Sequence, residues 1–336
     1  MRIIDLEHHF YTQHFLDAAS GRQDPPSYDP ETKAVCYTKG IWMPLGKGPL
    51  LDALLDLSEK RIALMDAAGI DTAVLECSPG AEEIPGEEGI RLCRDINQTV
   101  FELTQIYPGR FLGAAVLPVF EPEAAVKELE HCVRDYGFVI WHTHSNYGNA
   151  WPDDEAFRPI LKKAAELGTP VYIHPSMPDN PRINSLGVVM SAAGLGFTLD
   201  TMTTISAFMS RGVLDEIPGL KLICGHFGEA LPFLMERMDS FLGFIGVEPL
   251  RTNQQVPSYY FRNNIWVTTS GNYLKEAFTL TKNVLGIDHI LVGTDHPYGP
   301  MKKETDFLAG LDLTDEEREK LYYKNAESLL KPGKRI

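Results

Sequence analysis

The chain has 336 residues and carries 46 acidic against 31 basic side chains, a net charge of −15 that argues against a nucleic-acid phosphate backbone or an anionic membrane surface as partner. With 44% hydrophobic and 23% charged residues and a mean hydropathy of −0.15, its composition excludes a disordered, fibrous or membrane-embedded chain. Met1-Arg2-Ile3-Ile4-Asp5 lacks the basic start and long apolar run of a signal peptide, and the five widely spaced cysteines read as reduced thiols, so a cytoplasmic location is expected.

The first expected element is a strand at Ile3 to Leu6, followed by Glu7-His8-His9-Phe10. Residues from about 11 to 50 carry Pro25, Pro26, Pro30, Pro44 and Pro49 and predict an irregular insertion lying over one end of the domain. Strands and helices then alternate: helix Leu57 to Ala68, strand Thr72 to Cys77, helix Glu87 to Tyr107, strand Phe111 to Pro118, helix Glu121 to Tyr136, strand Phe138 to His144, helix Asp153 to Leu167 and strand Pro170 to His174. Residues Ser176 to Gly219 break the rhythm. Their apolar run VVMSAAGLGFTLDTMTTISAFM reads as one or two buried or subunit-contacting helices, which predicts a homodimer or homotetramer. Alternation resumes with strand Lys221 to His226, helix Glu229 to Leu242, strand Ile265 to Ser270, helix Asn272 to Leu285, strand His289 to Asp295 and helix Thr314 to Leu330.

Near-continuous apolar runs mean strands covered on both faces, as in a parallel sheet. Eight of them joined by helices close into an α/β fold, the (β/α)₈ or TIM barrel, as one domain over residues 1–336. An open doubly wound sheet is the alternative, weakened because Glu7-His8-His9-Phe10 stands where a glycine-rich turn belongs.

In a barrel of this kind the carboxyl ends of the strands hold the active site. Glu7 and His9 follow the first strand, His142 and His144 end the fourth, His174 the fifth, His226 the sixth, and Asp295 and His296 the eighth. Glu7 and His9 are two apart, so they point the same way, and carboxylate beside imidazole suits zinc, manganese or iron. Adding His174 and Asp295 completes a nitrogen and oxygen set without cysteine, which favours an open catalytic centre over a structural one. In Gly225-His226-Phe227-Gly228-Glu229, Glu229 stands where it can orient the His226 ring, although a helix-capping core histidine fits the same motif. Arg61 reads equally as a solvated arginine, and Arg237 as the partner of Glu236 or Asp239.

These residues lie in blocks, IIDLEHHF, KRIALMDAAGID, DDEAFRPILKKAAELGTPVYIHP, LICGHFGEALPFLMERMD, YYFRNNIWVTTSGN and ILVGTDHPY, in which the chain resembles the amidohydrolase superfamily. The similar branch contains the metal-dependent decarboxylases of γ-resorcylate, 2,3-dihydroxybenzoate and 5-carboxyvanillate. The resemblance implies one divalent ion, Zn²⁺ or Mn²⁺, held by Glu7, His9, His174 and Asp295, with Asp295, His226 and Glu229 as catalytic residues and Arg61, Arg237 and His144 at the substrate. Many relatives carry histidine where Glu7 stands, and no lysine ends the fourth strand to bridge a second ion. Trp141-His142-Thr143-His144 departs from the branch's usual pattern at that strand end.

The reaction so implied is non-oxidative loss of carbon dioxide from a hydroxylated aromatic acid, after protonation of the carbon that bears the carboxylate. Hydrolysis or hydration at the same centre is the alternative, with Asp295 taking a proton from water. A non-catalytic metal-binding barrel is the remaining reading, disfavoured by a complete acid and base set.

Overall fold

A computed structural model describes residues 1–38, 40–46, 48–242 and 252–330; parts of the 11–50 segment and of the expected 1–336 domain therefore lie outside the described residues. Eleven strands are present in them: β1 (Ile4–Phe10), β2 (Ser27–Asp29), β3 (Ala34–Thr38), β4 (Ile41–Pro44), β5 (Thr72–Cys77), β6 (Phe111–Ala115), β7 (Ile140–His144), β8 (Val171–His174), β9 (Leu222–Cys224), β10 (Ile265–Thr268) and β11 (Ile290–Leu291). Eight of these pair in the order β1-β5-β6-β7-β8-β9-β10-β11, each matching a strand expected from an apolar run. Every pairing along this series is parallel.

The ends meet. The amide of Leu6 donates to the Val292 carbonyl at 2.9 Å and that of His296 to Glu7 at 3.3 Å, so the first and last strands close the ring. This is the (β/α)₈ barrel, and the open-sheet alternative falls with the closure. Helices cover the outside because each presents an apolar stripe: Ala125, Leu129 and Cys132 in the helix Pro122–Arg134, and Ile160, Leu161 and Ala164 in Arg158–Leu167. Inside, Ile4, Leu6, Val74, Ile140, Ile223 and Leu291 fill the amino-terminal half. The interior is therefore apolar below and polar above, which confines chemistry to one end.

The segment expected to be irregular is regular in large part. It holds a helix, Gln13–Ala19, capped by the Thr12 side chain, and the antiparallel sheet β2-β3-β4. Prolines that break a helix are tolerated here because Pro44 ends the edge strand β4 and Pro25-Pro26 lie in the bend leading into β2. The Thr38 hydroxyl donates to the Met177 carbonyl at 2.9 Å, which ties this small sheet to the loop after β8, at the polar end of the barrel.

Residues Ser176 to Gly219 form the helix Gly196–Ser210 with shorter turns before and after it. Thr204, Ile205, Phe208 and Met209 are buried, whereas Leu186, Val189 and Met190 are exposed, Val189 by 74%.

A carboxylate and imidazole centre at the mouth of the barrel

Glu7 and His9 occupy alternate positions of β1 and face the barrel interior; His174 is the last residue of β8. His226 and Asp295 follow β9 and β11 in backbone conformations with positive φ, 55° and 58°, as do Phe227 and Glu229 at 59° and 57°. Non-glycine residues persist in that region only where surrounding structure holds them, and such strain gathers at functional sites. Neighbouring glycines make the space: a Cβ on Gly293 would sit 2.5 Å from Glu7 Oε2, and one on Gly271 would sit 2.6 Å from the His226 ring.

One donor atom each from Glu7, His174, His226 and Asp295 lie within 4.8 Å of one another. His174 Nε2 is 3.5 Å from Glu7 Oε1 and 3.8 Å from Asp295 Oδ1, and His226 Nε2 is 3.9 Å from both Glu7 Oε1 and Asp295 Oδ2. His9 joins through Asp295, with Nε2 at 3.1 Å from Oδ1, and its ring centroid is 4.4 Å from that of His174. All four expected ligands are thus brought together, and His226 stands as close to them as they do to each other. Glu7 Oε1, His9 Nε2, His174 Nε2 and Asp295 Oδ1 are buried without a hydrogen-bond partner. Buried polar atoms are normally satisfied, so convergent unsatisfied donors of this chemistry fit a single divalent ion.

Electrostatics agree. Burial pushes the Asp295 carboxyl up, but the adjacent His174, His226 and His9 rings more than offset it and hold Asp295 well below the usual carboxylate range. Glu7 is lowered in the same way, burial opposed by His174 and His226. Burial, with His174 close by, lowers His9 to about 4, so this ring is neutral and free to ligate. His226 is raised to about 10: burial lowers it, but Asp295, Glu229 and Glu7 prevail. Glu229 Oε1 lies 3.5 Å from His226 Nδ1, and its other oxygen accepts from the Thr198 hydroxyl at 2.8 Å, so the carboxylate is itself positioned.

The two arginines expected at the substrate sit elsewhere. Arg61 is fully buried beneath the site and donates to the carbonyls of His9 at 2.9 Å, Asp56 at 2.7 Å and Ala53 at 2.7 Å. Its fork is engaged with backbone, so it braces the end of β1 rather than meeting a ligand. Arg237 is exposed on the helix Leu231–Leu242, its guanidinium over the Phe241 ring at 4.8 Å from the centroid. His144 is in the barrel, with Nδ1 hydrogen-bonded to Glu82 Oε1 and Nε2 unpartnered.

Sequence reasoning missed several residues here. Glu76 of β5 is fully buried, and burial together with Glu7, Asp5 and Asp295 pushes its carboxyl well above the usual range. Tyr172 and Thr268 form a hydrogen-bonded bridge of 3.1 Å, and Thr268 donates to Glu7 Oε2 at 3.1 Å, fixing the carboxylate from below. Asp5 accepts the amides of Glu7 at 3.1 Å and Thr294 at 3.0 Å, so one carboxylate stitches the two strand ends that carry Glu7 and Asp295. A charge inside an apolar strand, as in TAVLEC, was the available signal for Glu76. Nothing comparable marks Tyr172 or Thr268, whose importance arises from what lies across the barrel.

A closed parallel barrel with carboxylates and imidazoles converging at the carboxyl ends of its strands defines a metal-dependent barrel enzyme. The chain belongs to the amidohydrolase family, whose pattern matches residues 4–331. It is similar to the gamma-resorcylate decarboxylase of Rhizobium sp. strain MTP-10005, 32% identical over 288 residues that cover 83% of this chain and 88% of the relative. Its structure resembles a 5-carboxyvanillate decarboxylase from Novosphingobium aromaticivorans holding manganese and 3-methoxy-4-hydroxy-5-nitrobenzoic acid, with TM-score 0.89, 28% identity and coverage of 98% and 97%. It also resembles a dihydroxybenzoic acid decarboxylase from Polaromonas sp. JS666 with manganese and 2-nitroresorcinol, with TM-score 0.84, 28% identity and coverage of 99% and 98%.

Proposed function

We propose that the chain is a carboxy-lyase that removes carbon dioxide from a hydroxylated aromatic acid, using one divalent ion, manganese as in the relatives or zinc, at Glu7, His9, His174 and Asp295. The observation that carries this reading is the His226 and Glu229 pair abutting Asp295 at the rim of the donor set, a proton-handling group beside a metal-binding group. A divalent ion held there would supply Lewis acidity toward the oxygens of the substrate.

The protein's own residues then determine where the proton goes. Cleavage before protonation would leave an aryl carbanion, so the favourable order delivers a proton to the carboxyl-bearing carbon first. His226 carries that proton, its Nε2 3.9 Å from Asp295 Oδ2, and Glu229 keeps the imidazole turned toward Asp295. His144, oriented by Glu82 and with Nε2 unpartnered, remains the proposed polar contact for the substrate. Loss of carbon dioxide restores the ring.

In deuterated water the product is expected to carry one deuterium at the carbon that bore the carboxylate. Hydrolysis instead places solvent oxygen in the product and releases no carbon dioxide. Mass spectra of products formed in D₂O and in H₂¹⁸O from a panel of hydroxybenzoates, lactones and amides decide: solvent oxygen gained without carbon dioxide release would overturn the decarboxylase reading.

The exposed Leu186, Val189 and Met190, on the segment whose other face is buried, support self-association into a homodimer or homotetramer. Light scattering at micromolar concentration is expected to give a multiple of the 37.5 kDa chain, and a monomer mass would refute it. Among the described residues no helix is long and apolar enough to cross a membrane.

A further inference from the structure

His142, the unusual residue of the WHTH motif, and Glu76 are left unexplained by the metal centre. They stand side by side under it. His142 Nε2 lies 3.4 Å from Glu76 Oε2, and both are buried, Glu76 at 0% and His142 at 3% exposure. Neither oxygen of Glu76 has a hydrogen-bond partner, nor has His142 Nε2. His142 also hydrogen-bonds the backbone of Cys77, which commits one end of the ring and turns the other toward Glu76.

The third member is a ligand. In the parallel pairing of β1 with β5, His9 is the register partner of Glu76, and one atom each of His9, Glu76 and His142 lie within 4.8 Å of one another. His9 Nε2 is turned to Asp295 at 3.1 Å, while His9 Nδ1 is buried and unpartnered. Four buried atoms therefore lack partners within one small volume, and each has a complement in the others. One proton shared between His142 and one Glu76 oxygen, 3.4 Å apart, would satisfy both. A small approach of the second oxygen to His9 Nδ1, within the same 4.8 Å cluster, would let it accept from Nδ1–H and leave the Nε2 lone pair for a cation.

We propose that Glu76 and His142 are positioning residues: a buried carboxyl and imidazole that fix the tautomer and orientation of His9 as a ligand. The inference rests on the metal site proposed above. Carboxyl groups behind ligating histidines raise ligand basicity and set the ring angle, and their loss typically lowers metal affinity 10–100-fold. A second ion at His9, Glu76 and His142 is the competing occupant of the same atoms. Sharing of His9 between two ions disfavours it, because a neutral imidazole has only one lone pair to give.

The test measures manganese binding by calorimetry and metal content on the wild type, Glu76→Gln and Glu76→Leu. Wild type is expected to bind one ion per chain; no binding at all would sink the metal site itself rather than this inference. Glu76→Gln keeps an acceptor for His9 and a donor for His142, so its affinity is expected to stay within a few-fold of wild type. Glu76→Leu, similar in volume but unable to hydrogen-bond, is expected to lose about 10–100-fold. Unchanged affinity in a folded Glu76→Leu variant, or two ions per wild-type chain, would overturn the proposal. Should the leucine variant fail to fold, ¹⁵N-histidine NMR of the zinc-loaded wild type decides instead. A protonated His9 Nδ1 with a strongly downfield proton supports the arrangement, and a solvent-exchanging or unprotonated Nδ1 refutes it.

Discussion

His174→Ala is expected to bind manganese more than about 100-fold more weakly than wild type, beyond the loss usual for removing a partner that only supports a ligand, and to have no measurable turnover. His174 Nε2 is the atom that links the two carboxylates, 3.5 Å from Glu7 and 3.8 Å from Asp295. Deleting the ring leaves these anions facing each other across a buried gap, since its proximity is among the causes that keep both ionised. Unpaired buried carboxylates take up protons, and a protonated carboxyl is a poor ligand. Metal analysis of the purified variant together with calorimetric titration checks this, and near-normal ion content would remove His174 from the ligand set.

His226→Asn is expected to retain the ion and to lower kcat by about 10²–10⁴-fold, the range for a lost general acid or base. The variant separates two roles that the geometry brings close. His226 Nε2 stands 3.9 Å from oxygens of Glu7 and Asp295, within reach of an ion placed among them, while its Nδ1 faces Glu229. A relay residue affects turnover and leaves metal affinity intact; a ligand affects both. If the variant loses its ion along with activity, His226 belongs to the ligand set and the proton route must run through Asp295 alone.

His226 also shows how far a linear reading reaches. The GHFGE motif marked the residue and its carboxylate partner correctly as neighbours, because three positions of tight turn bring them together whatever the rest of the chain does. Glu7, His9, His174 and Asp295 could be grouped because parallel strands expose their last residues at one end of a barrel, so that position along the strand stands in for position in space. Arg61 defeats the same logic. Its helix begins after Ser58, where an arginine usually reaches solvent, yet the carbonyl of His9 near the end of β1 and those of Ala53 and Asp56 take up its guanidinium. The 11–50 segment differs from the expectation for a related reason: its strands are only three to five residues long and are stabilised by each other and by the loop after β8, and strands that short carry little signal of their own.

What the amino-acid order determined by itself is the alternation of buried strand and amphipathic helix, the count of eight, and the identity of the residues at the strand ends, all of them consequences of local periodicity. Only the tertiary structure decided which polar atoms lack partners. Glu76 and His142 lie 66 residues apart in sequence (142 − 76) and 3.4 Å apart in space, and Thr268 meets Glu7 across 261 residues. Closure of the barrel makes those meetings, because the hydrogen bonds of the last strand to the first set the register of every interior layer.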